Sequence, residues 1–210
     1  TAISNAVSDA FRPVDDEIAT EFRQQQGVSP ESVCLLNVGS NNPRKNVSAI
    51  LEAMRVLRSR QQPVHFWKAG SDFSAAQHEF ISTHQLNDCI SFVGRVDEAK
   101  LITLYNAADV LVAPSLYEGF GLTVLEAMAC GTPVIAANTT SLPEVAGEAA
   151  LLVDPTSVDA IAAAAERLIQ SPDLRLSLSA AGIARAKTFT WTNTASQIAS
   201  VYERVYSATH

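Results

Sequence analysis

The sequence predicts an α/β fold: a doubly wound, Rossmann-like parallel sheet with helices on both faces. Two observations carry this. Short runs that are apolar at nearly every position alternate with segments of helical period, the pattern of buried parallel strands joined by crossover helices. In addition, the stretch from Val110 to Pro133 reads as strand, glycine-bearing loop and helix in succession, the unit that builds a ligand crevice at the carboxyl end of such a sheet. Right-handed crossovers then put helices on both faces.

The elements follow in order. Residues 1 to 30 are polar and irregular, apart from the apolar piece Ala2 to Val7 and a helix over Asp15 to Gln26 that Gly27 closes. Val33 to Val38 is the first buried strand, and Gly39 to Asn46 is its loop. Val47, Ile50, Leu51, Met54 and Leu57 then recur at helical spacing. Val64 to Trp67 is the second strand, ending at Ala69-Gly70, and Phe73 to Gln85 the next helix. Ile90 to Val93 is the third strand, closed by Gly94-Arg95-Val96, with a helix from Asp97 to Ala108 after it. Val110 to Ala113 leads into the central loop, where Pro114 and the glycines end regular structure. A helix begins at Thr123 and stops at Gly131 and Pro133. Val134 to Ala137 and Ala149 to Val153 are the last strands. Three helices finish the chain: one with Val158, Ile161, Ala165 and Leu168 on one face, one from Asp173 to Lys187, and one carrying Ile198, Val201, Tyr202 and Val205. This divides the chain into a leading segment over 1–30, a Rossmann-like domain over 31–190 and a terminal helix over 191–210.

Composition narrows the function. A chain of 210 residues can bury a full α/β core. A net charge of −7 disfavours non-specific binding to nucleic acid or to a membrane surface. No apolar run reaches membrane-spanning length, and the first residues do not have the basic-then-apolar pattern of a signal peptide. Cys34, Cys89 and Cys130 each sit in or beside apolar stretches, as buried thiols in a reducing cytoplasm would. No His/Cys spacing and no Asp-x-Asp pair marks a metal site.

Three strand-end loops carry chemistry: 39 to 46, 94 to 97 and 114 to 123. The first has neither a Gly-x-Gly-x-x-Gly nor a Walker signature. It offers Arg44, Lys45 and the N–H groups of a helix start, which suit a diphosphate; a solvated basic pair is the simpler reading of those two residues alone. Glu118 and Glu126 flank the central helix start with seven residues between them. Thr123 to Glu126 fits a capping box, which gives Glu126 a structural role, and Ser141 to Glu144 fits the same pattern. Glu118 has no local structural partner in the sequence. Beside an anion-binding helix start it suits a polyol hydroxyl, and the spacing leaves a structural and a functional reading equally open.

Glu118 to Glu126 resembles the E-x7-E motif of retaining GT-B glycosyltransferases, the large group called glycosyltransferase family 4 above all. The likeness runs from Asn5–Pro13 through Val38-Gly39, Pro43-Arg44-Lys45-Asn46, Phe92–Val96, Ala113–Gly121, Glu126–Val134, Leu142–Val145 and Leu152–Pro155 to Phe189-Thr190-Trp191. It implies the C-terminal half of a GT-B fold, the donor-binding domain of a two-domain enzyme. The acceptor, a saccharide or a lipid-linked sugar, would be met by an N-terminal domain, toward which the 191–210 helix would pack back.

By the same resemblance Glu118 is the catalytic-site residue that binds the donor sugar, and Glu126 binds the nucleotide ribose. Gly119, Phe120, Gly121, Leu122 and Thr123 line the sugar and phosphates. Lys45 neutralises the diphosphate, with Gly39, Ser40 and Arg44 beside it, and Arg95 and Val96 lie along the base. Transfer retains the anomeric configuration and commonly needs no metal. Many members carry arginine where this chain has Ser40, and Arg44 is the residue that could replace that charge. The Pro-Arg-Lys-Asn loop and the Ser-Leu-Pro-Glu-Val segment are similar to those of bacterial polysaccharide and O-antigen mannosyltransferases, which makes GDP-mannose the first candidate donor. The alternatives are a GT-B epimerase or phosphorylase, or a non-catalytic nucleotide-sugar-binding module. The paired glutamates favour transfer.

Overall fold

A computed structural model of the chain describes residues 3–209. Thr1, Ala2 and His210, which the sequence reading counts in the leading segment and in the terminal helix, lie outside the described residues. The element order is α1 (Asp16–Gln25), β1 (Val33–Gly39), a 3-10 turn (Pro43–Lys45), α2 (Val47–Ser59), β2 (Val64–Gly70), α3 (Ala75–Thr83), β3 (Ile90–Gly94), α4 (Glu98–Ala107), β4 (Val110–Ala113), α5 (Leu122–Ala129), β5 (Val134–Ala137), α6 (Leu142–Ala146), β6 (Leu151–Val153), α7 (Val158–Gln170), α8 (Pro172–Ala186) and α9 (Trp191–Thr209). The six strands form one parallel sheet in the order β3-β2-β1-β4-β5-β6. This is the doubly wound fold that the alternation of apolar runs and helical segments predicts.

Two cores sandwich the sheet because alternate residues of each buried strand face opposite sides. Cys34, Leu36 and Trp67 join side chains of α1, α4, α5 and α6 on one face. Leu35, Phe66, Val110 and Ile135 join those of α2, α3 and α7 on the other. The helical spacing read over α2 is borne out: Ile50, Leu51, Met54 and Leu57 are all essentially inaccessible. Each contributes on the order of 1.5–3 kcal/mol by leaving water. Cys34, Cys89 and Cys130 are buried free thiols, as expected.

The departures from the sequence reading are local. The helix read from Phe73 begins at Ala75, because Ser74 caps it: its hydroxyl accepts from the Gln77 N–H while the Gln77 side chain accepts from the Ser74 N–H. The last strand begins at Leu151 rather than Ala149, since Ala149 is still turned back by its N–H bond to the Ala146 carbonyl. Among the described residues the leading segment has no regular structure before α1, but it is packed: Ala6 and Phe11 are buried, and the Val14 N–H donates to Asn106 Oδ1 of α4 at 2.9 Å. Ser141-Leu142-Pro143-Glu144 does open a helix, α6, but without a capping box. Ser141 has helical dihedrals and makes no cap bond; its hydroxyl donates instead to the Glu118 carbonyl at 2.9 Å.

The sheet order reverses direction between β1 and β4. That is the topological switch point, where the loops leaving adjacent strands diverge to opposite faces and open a crevice. The two loops that flank it are 40–46, after β1, and 114–121, after β4.

Candidate functional site

The two switch-point loops are stitched together. The Leu116 N–H donates to the Arg44 carbonyl at 2.7 Å. Asn46, left-handed at φ 56° and at the N-cap of α2, donates through Nδ2 to the Pro114 carbonyl at 3.2 Å and to the Pro155 carbonyl at 2.7 Å. One amide therefore ties the ends of β1, β4 and β6.

Glu118 lies at the centre. Its Oε1 accepts from Lys45 Nζ at 2.6 Å and from Ser115 Oγ at 2.8 Å, and its Oε2 accepts from Arg44 Nη1 at 3.0 Å. Thr140 Oγ1 accepts from the Glu118 N–H at 3.1 Å. Burial works to raise the Glu118 carboxyl; bonds from Lys45, Ser115 and Arg44, with the Lys45 charge, outweigh it and hold the group below its ordinary value. This corrects the expectation that Glu118 has no structural partner. Ser115, three residues back, is a local partner; the two cations come from a loop more than seventy residues away, beyond any local motif. The reading of Arg44 and Lys45 as a solvated pair is corrected for Lys45, whose side chain keeps only 12% of its exposure and pairs with Glu118, while Arg44 stays exposed at 44%.

Glu126 is held differently. The capping box is absent because Gly121, at φ +106°, is the N-cap of α5. Thr123 is then already inside the first turn. A side chain at Gly121 would be strained by that φ, and its Cβ, 2.6 Å from Leu142 Cδ2, would push the tip of that side chain aside. Glu126 Oε2 instead accepts from the Tyr105 hydroxyl at 2.8 Å. Burial raises its carboxyl above the ordinary value; Glu98 adds to this, while Tyr105 and Lys45 oppose it. Glu126 lines a cleft of about 280 Å³ with Val7, Ser8, Glu98, Leu122 and Trp191. A larger cleft, about 460 Å³ beside Arg23 and Asp109, lies at the amino ends of β1 and β4, away from both loops.

Between the two glutamates the backbone N–H groups of Gly119, Phe120, Gly121, Leu122 and Thr123 donate to no described residue. Those of Gly121, Leu122 and Thr123 are the orphan donors of the α5 start, at its positive dipole end, and those of Gly119 and Phe120 belong to the loop before it. Gly39, at φ +132°, lets the Lys45 stem pass 3.4 Å from where a Cβ would be. Ser40 and Arg95 are exposed, Val96 is half-buried against the α4 face, and Arg95 forms no bond with a described residue. The structure thus gathers Gly39, Ser40, Arg44, Lys45 and Glu118 with the α5 start, and sets Glu126 on the adjoining cleft. No group of three or more His, Cys, Asp or Glu side chains gathers as a metal site among the described residues.

Sequence reasoning missed Ser115, whose bond to Glu118 is local, and Thr140, Ser141 and Tyr105, whose roles depend on tertiary contacts. It also passed over Lys68, a single charge inside the apolar strand Val64–Gly70, fully buried beneath the first loop.

Fold and site together define a Rossmann-like α/β domain with a crevice at its switch point lined by carboxylates, cations and free N–H groups. The chain belongs to the family described as glycosyl transferases group 1, which matches residues 19–185. It is 38% identical over 172 residues to O-antigen chain mannosyltransferase B of Escherichia coli, covering 80% of this chain and 45% of that protein. Among solved structures it resembles sucrose-phosphate synthase of Thermosynechococcus elongatus (30% identity, TM-score 0.83, 98% of this chain and 52% of that one). It also resembles the C-terminal domain of the group 1 glycosyl transferase LpcC of Francisella tularensis (26% identity, TM-score 0.76, 88% and 97%). The chain spans about half the length of the curated relatives it matches. No helix among the described residues is long and apolar enough to cross a membrane.

Proposed function

We propose that this chain is the donor-binding half of a retaining hexosyltransferase that works on a nucleotide-diphosphate sugar, with GDP-mannose as the first candidate. The observation that carries the proposal is the Arg44/Lys45–Glu118 cluster facing unpaired α5 N–H groups. It offers cations and oriented N–H groups to a diphosphate and a carboxylate to sugar hydroxyls within one crevice. In the reaction the C1–O bond to the β-phosphate breaks, an acceptor hydroxyl bonds to C1 on the same face, and the acceptor proton leaves with the departing diphosphate. Lys45, Arg44 and the α5 dipole stabilise the charge that grows on that leaving group. Glu118 orients the sugar through its hydroxyls. Glu126, with one oxygen held by Tyr105, presents the other to the ribose, and Arg95 and Val96 flank the base.

The mannosyltransferase named among the relatives supports mannose as the sugar. The match to a C-terminal domain and the half-length coverage support a partner domain that brings a saccharide or lipid-linked acceptor. The exposed Trp191, Ile198 and Tyr202 of α9 are suited to cover that domain. The leading segment, 1–30, is then the interdomain linker. Three buried free thiols suit a reducing compartment such as the cytoplasm.

The test is a thermal-shift panel of nucleotide sugars on the 210-residue chain. A ligand at a hundredfold over its dissociation constant adds about 2.7 kcal/mol of stability. GDP-mannose should give the largest shift. A shift from no nucleotide sugar would refute donor binding, and robust sugar transfer by this chain alone would refute the two-domain requirement.

A further inference from the structure

We infer that Lys68 is a positioning residue for the donor diphosphate: from beneath the first switch-point loop it fixes the Gly39–Ser40 peptide and adds a buried positive charge to those of Lys45 and Arg44. The inference rests on the donor-binding reading above and deepens it.

Lys68 sits in β2, opposite Asn37 of β1, and its residue has no exposed surface. Its Nζ donates to the Gly39 carbonyl at 2.7 Å and to the Ala69 carbonyl at 2.8 Å. The Ser71 N–H also donates to the Gly39 carbonyl, at 3.1 Å. Two donors thus pin that carbonyl down toward β2. In a planar trans peptide the next N–H points the opposite way. The Ser40 N–H is therefore turned away from β2, on the exposed side of the loop, and it donates to no described residue. Lys45 approaches the same Gly39, its Cε 3.4 Å from where a Cβ would be.

The charge balance points the same way. A buried ammonium without an anionic partner is costly. Lys68 forms no ion pair with a described residue, and the charged groups that act on it are Lys45, which repels it, and Asp72, which attracts it. Burial first, and then Lys45, lowers the Lys68 ammonium to about 8, against the opposing pull of Asp72. Lys45 has Glu118 as its counter-ion; Lys68 has only dipoles. A methionine would fill the same space, so packing does not call for the charge. A diphosphate bound on the loop would supply the missing anion and keep Lys68 protonated.

The experiment is calorimetry of the 210-residue chain and its Lys68→Met variant with GDP, UDP and the matching nucleosides, from about pH 7 to about pH 9. At neutral pH, Lys68→Met should weaken diphosphate binding by about tenfold, the low end of a hydrogen bond to a charged group. Nucleoside binding should stay unchanged, and the unliganded variant should melt no lower than wild type. Wild-type affinity for the diphosphate should fall as pH rises through about 8, and in the variant that slope should vanish. Equal losses for diphosphate and nucleoside, or a variant that matches wild type across the pH range, would overturn the inference alone. Wild type that binds neither GDP nor UDP would overturn the donor-binding reading itself. If Lys68→Met does not fold, the wild-type series decides: a diphosphate affinity flat through pH 8 rejects the role, and one that falls relative to the nucleoside supports it.

Discussion

Replacing Glu118 with glutamine separates the two jobs of the site. In wild type, Glu118 accepts from Lys45, Ser115 and Arg44. Glutamine keeps one acceptor oxygen for Lys45 and Ser115, loses the charge, and turns an NH2 group toward Arg44. The Arg44 pair is exposed on one side, with 44% of that side chain in solvent, and is worth about 0.5 kcal/mol. The Lys45 pair keeps 12% and 11% exposure. Breaking a fully buried pair costs about 3–5 kcal/mol, and the retained acceptor brings this down to about 1.5 kcal/mol. The sum, about 2 kcal/mol, lowers Tm by about 4–8 °C in a domain of this size. Ligand binding moves the other way. Without the carboxylate, Lys45 and Arg44 meet a diphosphate with no competing anion, so the free nucleoside diphosphate should bind about three- to tenfold tighter. The nucleotide sugar loses its hydroxyl acceptor and should not share that gain. Calorimetry with both ligands and differential scanning fluorimetry read all three effects. The sign with pH follows from the lowered carboxyl. Its stabilisation is present above the ordinary carboxyl value, about 4.3, and is lost as pH falls through the lower folded value; the Tm gap between wild type and variant should close there. An unchanged Tm together with weaker binding of the free diphosphate would refute the reasoning.

Three other outcomes follow from the same geometry. Lys45→Ala should weaken diphosphate binding by about tenfold to a hundredfold while sparing the nucleoside, and calorimetry showing equal losses would remove Lys45 from the phosphate site. Glu126→Gln should leave Tm nearly unchanged, since its oxygen still accepts from Tyr105; ribonucleotide affinity should fall by about tenfold, with little change for the 2′,3′-dideoxy analogue. Gly70→Ala places a Cβ 2.2 Å from the Gly39 carbonyl oxygen at φ +106°; the clash and strain should cost at least about 3 kcal/mol, read as a Tm loss of at least about 6 °C.

The sheet was legible in the sequence because buried parallel strands announce themselves as unbroken apolar runs, as in Val33 to Val38 and Val110 to Ala113. The site was legible in outline, through the spacing of Glu118 and Glu126 around a helix start. What the sequence hid were relations between distant loops. Nothing near Glu118 announces Lys45, and nothing near Glu126 announces Tyr105. The two capping boxes failed for different reasons, one a helix that begins earlier than the motif assumes and the other a cap residue whose hydroxyl is used elsewhere. Gly121 moved the N-cap of α5 two residues ahead of Thr123, where the motif assumes it, and Ser141 turned its hydroxyl toward Glu118 instead of its own helix. Lys68 was in view as the one charge in its strand, yet only the carbonyls it meets give it a meaning.

Asn46 leaves a mark on how this crevice can change over generations. The position asks for a residue at ease with φ 56° and for two N–H donors on a short arm, aimed at the Pro114 and Pro155 carbonyls. Glycine meets the first demand and not the second, aspartate tolerates the angle but offers only acceptors, and glutamine has the donors on an arm one carbon too long. With three loops fastened through one amide, none drifts by itself. New preferences for a sugar or an acceptor would have to be written in what the loops display, such as Leu116 and Tyr117 on their exposed rim, while the backbone beneath is inherited as a single casting.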